Sequence, residues 1–202
     1  MTTTPSAPAK KKATFNTLTV SEVRALTEDS VEVSFAIPPE LQDDYDYIPG
    51  QYVALRATID GQEVRRSYSI CDVPRDGVLR VAIKRDRGGV FSTWANDTLQ
   101  PGDTMDVMNP QGAFTSKTHL TGLNNPEAVR EELEKLENPH LVAIAAGSGI
   151  TPIMAIAQTV LHSSPDTTFE LIFANKGGGD VMFAEEIGDL KDKFPTRFAV
   201  HH

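Results

Sequence analysis

The chain has 202 residues, enough for one large compact domain or two small ones. Hydrophobic residues make up 40% and charged residues 23%, a balance typical of a globular protein with a buried core rather than a disordered or fibrous chain. The net charge of -9, from 19 basic and 28 acidic residues, argues against nucleic acid or an anionic membrane as a partner.

Residues 1–13 are rich in Thr, Pro, Ala and Lys and contain no apolar stretch, which predicts a disordered tail and no secretory signal. Apolar runs elsewhere fall well short of the roughly 20 residues that a membrane-spanning helix needs. The single cysteine, Cys71, excludes a disulfide framework or a cluster of several thiolates within this chain. We therefore expect no membrane partner and a reducing, cytoplasmic location.

Residues 14–117 are predicted to form an all-β domain. Their apolar residues come in short alternating runs, separated by turn signals such as Pro49-Gly50. Several short strands of this kind favour a sandwich or a small antiparallel barrel. Helical spacing over residues 90–99 predicts a short helix across one end of the barrel. The expected strands are Leu18–Leu26, Val31–Ile37, Tyr52–Thr58, Val64–Ile70, Leu79–Lys84 and Met105–Met108.

The pattern changes in the second half of the chain. Residues 118–139 are predicted to be a linker that contains a charged helix, Glu127–Leu136, after an Asn125-Pro126 cap. Residues 140–202 alternate apolar runs with helical periodicity, which predicts a partial α/β domain whose parallel strands are buried on both faces. Its expected elements are strands Leu141–Ala146, Phe169–Ala174 and Phe198–His202 and helices Thr151–His162 and Met182–Leu190.

A glycine turn, Gly147-Ser148-Gly149, joins the first parallel strand to the following helix. Glycines let backbone N–H groups approach a pyrophosphate, and a helix start adds donors with partial positive charge. Thr151 and Pro152 occupy the first helical turn, where proline lacks only an N–H that would have no intrahelical partner. The third glycine of the full dinucleotide fingerprint is absent, so a plain strand-to-helix turn is the alternative.

Two segments of the barrel could also bind phosphate. Alternation in Val64–Ile70 places Arg66 and Tyr68 on one face, a guanidinium for a phosphate beside a ring for a planar ligand. The alternative is a strand with a surface ion pair and a core tyrosine. The second segment runs from Lys84 to Ser92 through Gly88-Gly89, and its helix start offers amides and a hydroxyl. A basic hairpin loop is the alternative there.

Metal and hydrolase chemistry are not expected. The five histidines have no spacing that would assemble a metal site, and no carboxylate accompanies them in a ligand pattern. Ser148 lacks the G-x-S-x-G pattern of a nucleophile elbow. Cys71 follows an apolar strand, where a small packed residue is the simpler interpretation.

Four segments, in this order, resemble the signatures of the ferredoxin-NADP reductase superfamily, and the resemblance extends from Phe15 to the end of the chain. They are Arg66-Ser67-Tyr68-Ser69, Gly89-Val90-Phe91-Ser92, Pro110-Gln111-Gly112-Ala113-Phe114 and Ala146-Gly147-Ser148-Gly149-Ile150-Thr151-Pro152. Within the superfamily, the residues from Arg65 to Cys71 and from Phe91 to Ala95 are most similar to the reductase subunits of multicomponent phenylacetyl-CoA epoxidases.

The resemblance implies a six-stranded Greek-key barrel that holds FAD, followed by a partial nicotinamide domain. By motif position, Arg66 would bind the flavin pyrophosphate, Tyr68 would stack on the flavin ring and Ser69 would hydrogen-bond near its N5 atom. Thr151 would lie near the nicotinamide, so Ser69 and Thr151 are the predicted catalytic residues. The implied cofactor-binding residues are Arg66, Ser67, Tyr68, Ser69, Lys84, Gly89, Val90, Phe91, Ser92, Gly147, Gly149, Thr151 and Pro152.

The resemblance also implies a function, in which a hydride passes from NADPH to FAD and electrons leave singly to an oxygenase component. Superfamily members continue past the position of His202 through a Cys-Gly-Pro motif and the 2'-phosphate ligands, and this subfamily adds a 2Fe-2S domain. The expectation is therefore a shortened chain that binds NADPH weakly and that either self-associates through the Leu141–Ala146 edge or is locally disordered from about Asn138 onward. A module that binds FAD but has little or no NADPH turnover is the alternative function.

Overall fold

The computed structural model describes residues 11–75, 77–112, 114, 126–136 and 139–202. Most of the predicted tail, the first part of the predicted linker and the Asn125 cap lie outside these residues. Residues 11–13 of the predicted tail run beside the barrel, where Lys12 O accepts a hydrogen bond from Asn109. None of the helices in the described ranges is long and apolar enough to cross a membrane.

The first unit is a six-stranded antiparallel sheet. Its strands are β1 (Phe15–Thr27), β2 (Ser30–Ala36), β3 (Tyr52–Ile59), β4 (Gln62–Ser69), β5 (Val78–Lys84) and β6 (Thr104–Met108). They lie in the order β4-β3-β6-β1-β2-β5. The sheet curls, and its edge strands β4 and β5 approach each other at the Ile70–Val81 bridge. This curled Greek-key sheet confirms the predicted fold of the barrel.

Alternating side chains of these strands fill the barrel. Its core holds Leu18, Val20, Val33, Phe35, Val53, Leu55, Ile70, Val81, Ile83 and Val107. Helix α2 (Val90–Thr98) closes one end, as predicted, because Phe91 and Ala95 of that helix are buried in the same cluster. The sequence did not predict the 3-10 turn Pro39–Leu41 or the single-turn helix α1 (Gln42–Tyr45), since so short a segment has no readable period.

The second unit has the predicted α/β order. Its parallel strands β7 (His140–Ala146), β8 (Thr168–Ala174) and β9 (Phe198–His201) lie in that order in the sheet. Helices α4 (Ile150–Ser163) and α5 (Ala184–Lys193) follow β7 and β8. Helix α3 (Pro126–Glu134), which the sequence places in the linker, packs on α4 and buries Val129 and Leu133 in the same core.

The prediction that the parallel strands are buried on both faces is wrong for the described residues. All three helices share one core with the inward-facing Leu171 and Phe173. The connections from β7 to β8 and from β8 to β9 advance in the same direction across the sheet. Right-handed strand–helix–strand connections that do so place their helices on the same side of the sheet. The opposite face leaves Val142, Ile144 and Ile172 56%, 76% and 42% exposed.

The two units share a junction made from β1, β2, β4, β5 and α5. Cys71, at the end of the β4 strand, belongs to the core of the α/β unit, and burial raises the pKa of its thiol. Its sulfur lies 3.6 Å from Glu32, which also pairs with Arg24 at 3.0 Å. Arg24 reaches across to Glu186 of α5. An ion-pair chain therefore connects the barrel to the α/β unit.

Candidate functional site

The edge strand β4 carries the predicted arginine and tyrosine on one face. Arg66 lies opposite Leu55 and Tyr68 opposite Val53, and both partners on β3 are buried. Arg66 and Tyr68 therefore point to the inner side of the sheet. Because β4 is an edge strand, that side opens to solvent there, which leaves Arg66 exposed and Tyr68 half-buried.

The charges of this face suit an anionic ligand. Arg66 Nη1 donates a hydrogen bond to the carbonyl oxygen of Arg65 at 2.7 Å, and within the described ranges its guanidinium forms no ion pair. Burial raises the pKa of Tyr68 to about 12, with the Asp86 carboxylate adding to the shift and Arg66 opposing it. The phenol is therefore neutral at physiological pH, and Nη2 and Nε of Arg66 have no hydrogen-bond partner in the described residues.

The start of α2 forms a compact donor loop. Asp86 N donates to Ser92 Oγ at 3.0 Å, and Gly89 N donates to Asp86 O at 2.9 Å. A Cβ on Gly89 would lie 2.7 Å from Ser92 Oγ, so only glycine fits this approach. The first N–H groups of the helix, from Val90 onward, have no intrahelical partner and can bind an anion.

The side chains of two predicted ligands on this helix, Phe91 and Ser92, are buried or already bonded within the chain. The Ser92 hydroxyl is buried and already accepts from Asp86 and donates to Gly89 O. The Phe91 ring is buried in the barrel core. Any contact that these two residues make with a pyrophosphate would therefore come from their backbone N–H groups.

Aromatic packing brings the strand and the helix start together. The rings of Tyr68 and Phe91 have centroids 5.8 Å apart at a tilt of 36°, and Phe91 meets Trp94 edge-on at 5.6 Å. Because Phe91 sits in the first turn of α2, this contact sets the helix start beside β4. Arg66, Tyr68 and the free amides of α2 thus form one surface.

Lys84, another predicted cofactor ligand, has its ammonium paired with carboxylates. Its ammonium lies 2.8 Å from Asp29 of the β1–β2 turn and 3.9 Å from Asp180 of the α/β unit. The sequence gives no sign of these partners, because they are distant along the chain.

The glycine turn Gly147–Gly149 is a 3-10 turn beside β5 that leads directly into α4. Gly147 has φ +49°, a conformation that favours glycine, whereas Gly149 has an ordinary φ of −62°. Thr151 is buried and its Oγ1 donates to Ser148 O at 2.6 Å, so its hydroxyl supports the turn. The hydroxyl of Thr151 therefore already donates within the turn and does not point to an open surface.

A cavity of about 470 Å³ opens at the carboxyl end of β8, and the sequence did not predict it. Asn175 Oδ1 is buried there without a hydrogen-bond partner in the described part of the chain. Ligands of open α/β sheets bind outside the carboxyl ends of the strands. The sequence feature that could have indicated this cavity is Asn175, which follows an apolar strand and comes shortly before three glycines. The cavity is lined by Phe173, Asn175, Gly177, Gly178, Val181, Ala184, Ile187 and His202.

Tyr52 was predicted from the sequence only as the first residue of a strand and not as a site residue. It lies opposite Ser69 in the β3–β4 register, and its side chain is exposed. An exposed aromatic ring next to the predicted flavin strand is a further surface for a planar ligand. Across the described ranges, no group of three or more His, Cys, Asp or Glu side chains could hold a metal ion.

Comparison with known proteins decides the family. Residues 17–116 match the oxidoreductase FAD-binding domain, and residues 143–202 match the oxidoreductase NAD-binding domain. The chain belongs to the ferredoxin-NADP reductase family. The two matched regions correspond to the barrel and to the α/β unit, so the predicted resemblance is confirmed.

Relatives and solved structures agree with this assignment. The chain is 42% identical over 184 residues to one of the subunits of 1,2-phenylacetyl-CoA epoxidase from Escherichia coli, covering 91% of this chain and 48% of the relative. It is 36% identical to the ferredoxin reductase component of 3-ketosteroid-9-alpha-monooxygenase from Rhodococcus rhodochrous, with 92% and 48% covered. The chain spans about half the length of these curated relatives.

Two solved structures share the fold. The FAD/NAD-binding domain of nitric oxide dioxygenase from Vibrio cholerae superposes with a TM-score of 0.73 at 21% identity, covering 91% of this chain and 71% of that one. The cytochrome P450 reductase GcoB from Amycolatopsis gives a TM-score of 0.73 at 26% identity, covering 93% and 51%.

Proposed function

We propose that this chain binds FAD and a nicotinamide dinucleotide as part of a reductase that takes a hydride from NADPH and supplies electrons to a multicomponent oxygenase. The observation that carries the proposal is the joined surface of Arg66, Tyr68 and the start of α2. The surface offers an unpaired guanidinium, a neutral aromatic ring and free helix amides within one patch.

The residues of this surface fit FAD. Arg66 is proposed to bind a phosphate of the pyrophosphate, and the amides of Val90 and Phe91 to bind the other, since Gly89 leaves no Cβ over the loop. Tyr68 and Tyr52 offer ring faces on the two sides of β4. Ser69, at the end of β4, is proposed to hydrogen-bond the reactive edge of the ring. FAD, when bound, accepts a hydride and releases electrons singly.

The α/β unit is proposed to hold the nicotinamide dinucleotide. Gly147–Gly149 brings the start of α4 beside β5 of the barrel, where Ile150 N already donates to Gly147 O and Ser148 O. The cavity at the end of β8, with the unpartnered Oδ1 of Asn175, suits the donor groups of the nucleotide's other end. Thr151 and Pro152 are proposed to stabilise the conformation of the Gly147–Gly149 turn.

The proposed electron acceptor is an oxygenase component, and a phenylacetyl-CoA epoxidase is the first candidate. This choice rests on the 42% identity to a protein of such an epoxidase and the 36% identity to a monooxygenase reductase component. With a single cysteine, the chain has no four-thiolate ligand set for a 2Fe-2S cluster of its own. A cytoplasmic location is proposed from the single cysteine, which provides no disulfide framework within this chain.

The test is anaerobic addition of NADPH, and separately of NADH, to FAD-loaded protein, with the absorbance of oxidised flavin recorded. The proposed function predicts bleaching by NADPH. A chain that binds FAD but is not bleached by either nucleotide would instead be a flavin-binding module. A chain that binds neither FAD nor FMN would contradict the proposal.

A further inference from the structure

The segment 11–14 runs along residues 109–111 and is fastened there by four hydrogen bonds. Asn109 N donates to Thr14 O at 2.9 Å, and Thr14 N donates to Asn109 Oδ1 at 3.0 Å. Asn109 Nδ2 donates to Lys12 O at 3.0 Å, and Gln111 Nε2 to Lys11 O at 3.3 Å. Asn109 is 2% exposed, and in the described residues its Nδ2 donates to Lys12 O, while its Oδ1 accepts from Thr14 N and from Gln111 Nε2 at 3.1 Å.

The other contact of the segment ties it to the short helix α1. Lys11 Nζ donates to the carbonyl oxygens of Asp43, Asp44 and Asp46, the latter two at 3.3 and 3.0 Å. These carbonyls belong to the end of α1, where a cation satisfies acceptors that have no intrahelical partner. The segment is therefore anchored at two places on the barrel, and we call residues 11–14 the strap.

Residues 109–112, beneath the strap, are bonded to the start of β3. Tyr52 N donates to Gln111 O at 3.0 Å, and Gln111 N donates to Tyr52 O at 2.9 Å. Gln51 Nε2 donates to Gly112 O at 3.2 Å. A Cβ on Gly112 would lie 2.7 Å from the Tyr52 ring, so the segment rests directly on that side chain.

The start of β3 in turn holds the end of β4. Ile70 N donates to Gln51 O at 2.9 Å, and Tyr52 lies opposite Ser69 in the register. Ser69 and Ile70 directly follow Tyr68, the ring proposed to face the flavin. A continuous set of bonds thus leads from the strap, through residues 109–112, to the proposed flavin strand.

We propose that the strap is a positioning element of the flavin site, which holds residues 109–112 against Tyr52 and so fixes the end of β4. The inference rests on the proposed function for the identity of the ligand. Without the strap, the buried Nδ2 of Asn109 loses Lys12 O, its acceptor in the described residues, and an unsatisfied buried polar group makes the local arrangement unfavourable. The barrel core does not include the strap, so the barrel stays folded while the flavin strand loosens.

The experiment compares three chains: residues 1–202, residues 11–202, which keep the strap, and residues 14–202, which lack three of its four residues. FAD affinity is measured by quenching of flavin fluorescence, and folding by far-ultraviolet circular dichroism. We expect the first two chains to bind FAD equally and the third to bind about tenfold more weakly, a change of about 1.4 kcal/mol. Equal affinity in all three, or an equal loss in 11–202 and 14–202, would overturn the inference.

A point variant decides the matter if the 14–202 chain does not fold. Gln111→Ala removes the side-chain bonds to Lys11 O and Asn109 Oδ1 but keeps the backbone pairing with Tyr52. We expect its FAD affinity to fall about threefold, about half of the tenfold loss on a logarithmic scale. An unchanged affinity in this folded variant would overturn the inference.

Failure of the proposed function gives a different pattern. If the 1–202 chain does not bind FAD, the proposed function is contradicted, and amide hydrogen exchange then tests the strap alone. We expect the amides of Tyr52 and Ile70 to exchange faster in 14–202 than in 11–202, with the amides of β5 unchanged. Equal exchange at Tyr52 and Ile70 would refute the positioning role.

Discussion

Replacing Arg66 and Arg65 in turn separates flavin binding from barrel stability. The Arg66 side chain is exposed, and its only described hydrogen bond goes to the carbonyl of its own neighbour at 2.7 Å. Arg65 points to the opposite face, where its guanidinium lies 5.1 Å from the Phe15 ring centre and 3.5 Å from the Met108 sulfur. The two arginines are adjacent in sequence but serve different surfaces.

The expected magnitudes follow from these surroundings. Arg66→Ala removes a charge-assisted phosphate contact of about 1.5–3 kcal/mol, which weakens FAD binding roughly 10- to 150-fold. It leaves the free energy of unfolding of the apoprotein unchanged, since Arg66 has no ion pair in the described chain to lose. Arg65→Ala leaves FAD affinity unchanged but removes a cation–π contact of about 0.5–1 kcal/mol from the barrel.

The assay is a fluorescence titration of each variant with FAD and FMN, alongside urea unfolding of the apoproteins. The unaltered chain should prefer FAD, because Arg66 and the start of α2 together serve two phosphates. If Arg65→Ala lowers FAD affinity and Arg66→Ala does not, the face assignment of β4 is refuted. Equal affinity for FAD and FMN would refute the pyrophosphate assignment.

Three further predictions concern the rest of the chain. In urea unfolding, Gly50→Ala should destabilise the protein by about 1–3 kcal/mol more than Gly102→Ala. Both glycines have φ near +95°, but only a Cβ on Gly50 would meet a backbone oxygen, at 2.4 Å. Burial raises the pKa of Tyr47, so its stabilising contribution is complete below a pH of about 10 and lost above it; Tyr47→Phe should flatten the alkaline fall in stability. Self-association through the unpaired edge of β7 should appear in sedimentation equilibrium and be abolished by Ile144→Lys, whereas a monomeric parent chain would contradict it.

Most of the fold follows from local sequence, and the exceptions depend on distant partners. Strand positions were predictable because glycine and proline turns separate runs of alternating side chains. The predicted first strand began at Leu18, whereas β1 begins at Phe15, because Phe15 pairs with Met108 on a strand that is remote in the chain. Helix α1 was missed because a single helical turn, Gln42–Tyr45, is too short to show a helical period.

The candidate site was predictable where it depends on strand alternation or on a glycine turn, as for Arg66, Tyr68 and Gly89. Predictions that concerned single polar groups could not be complete, because their partners come from tertiary packing. Lys84 meets Asp29, and the hydroxyl of Thr151 turns into its own loop. A sequence pattern specifies which donors are present but not which of them the fold has already engaged.

The junction of the two units has a consequence for domain exchange. Cys71 and Ala82 are barrel residues, yet they fill the core of the α/β unit, and Arg24 pairs with a carboxylate on each side. A chimera that replaces residues 139–202 with the matching unit of a relative would place foreign side chains against these three positions. Compatibility at Arg24, Cys71 and Ala82, and not overall similarity, should therefore decide which grafts yield a folded protein.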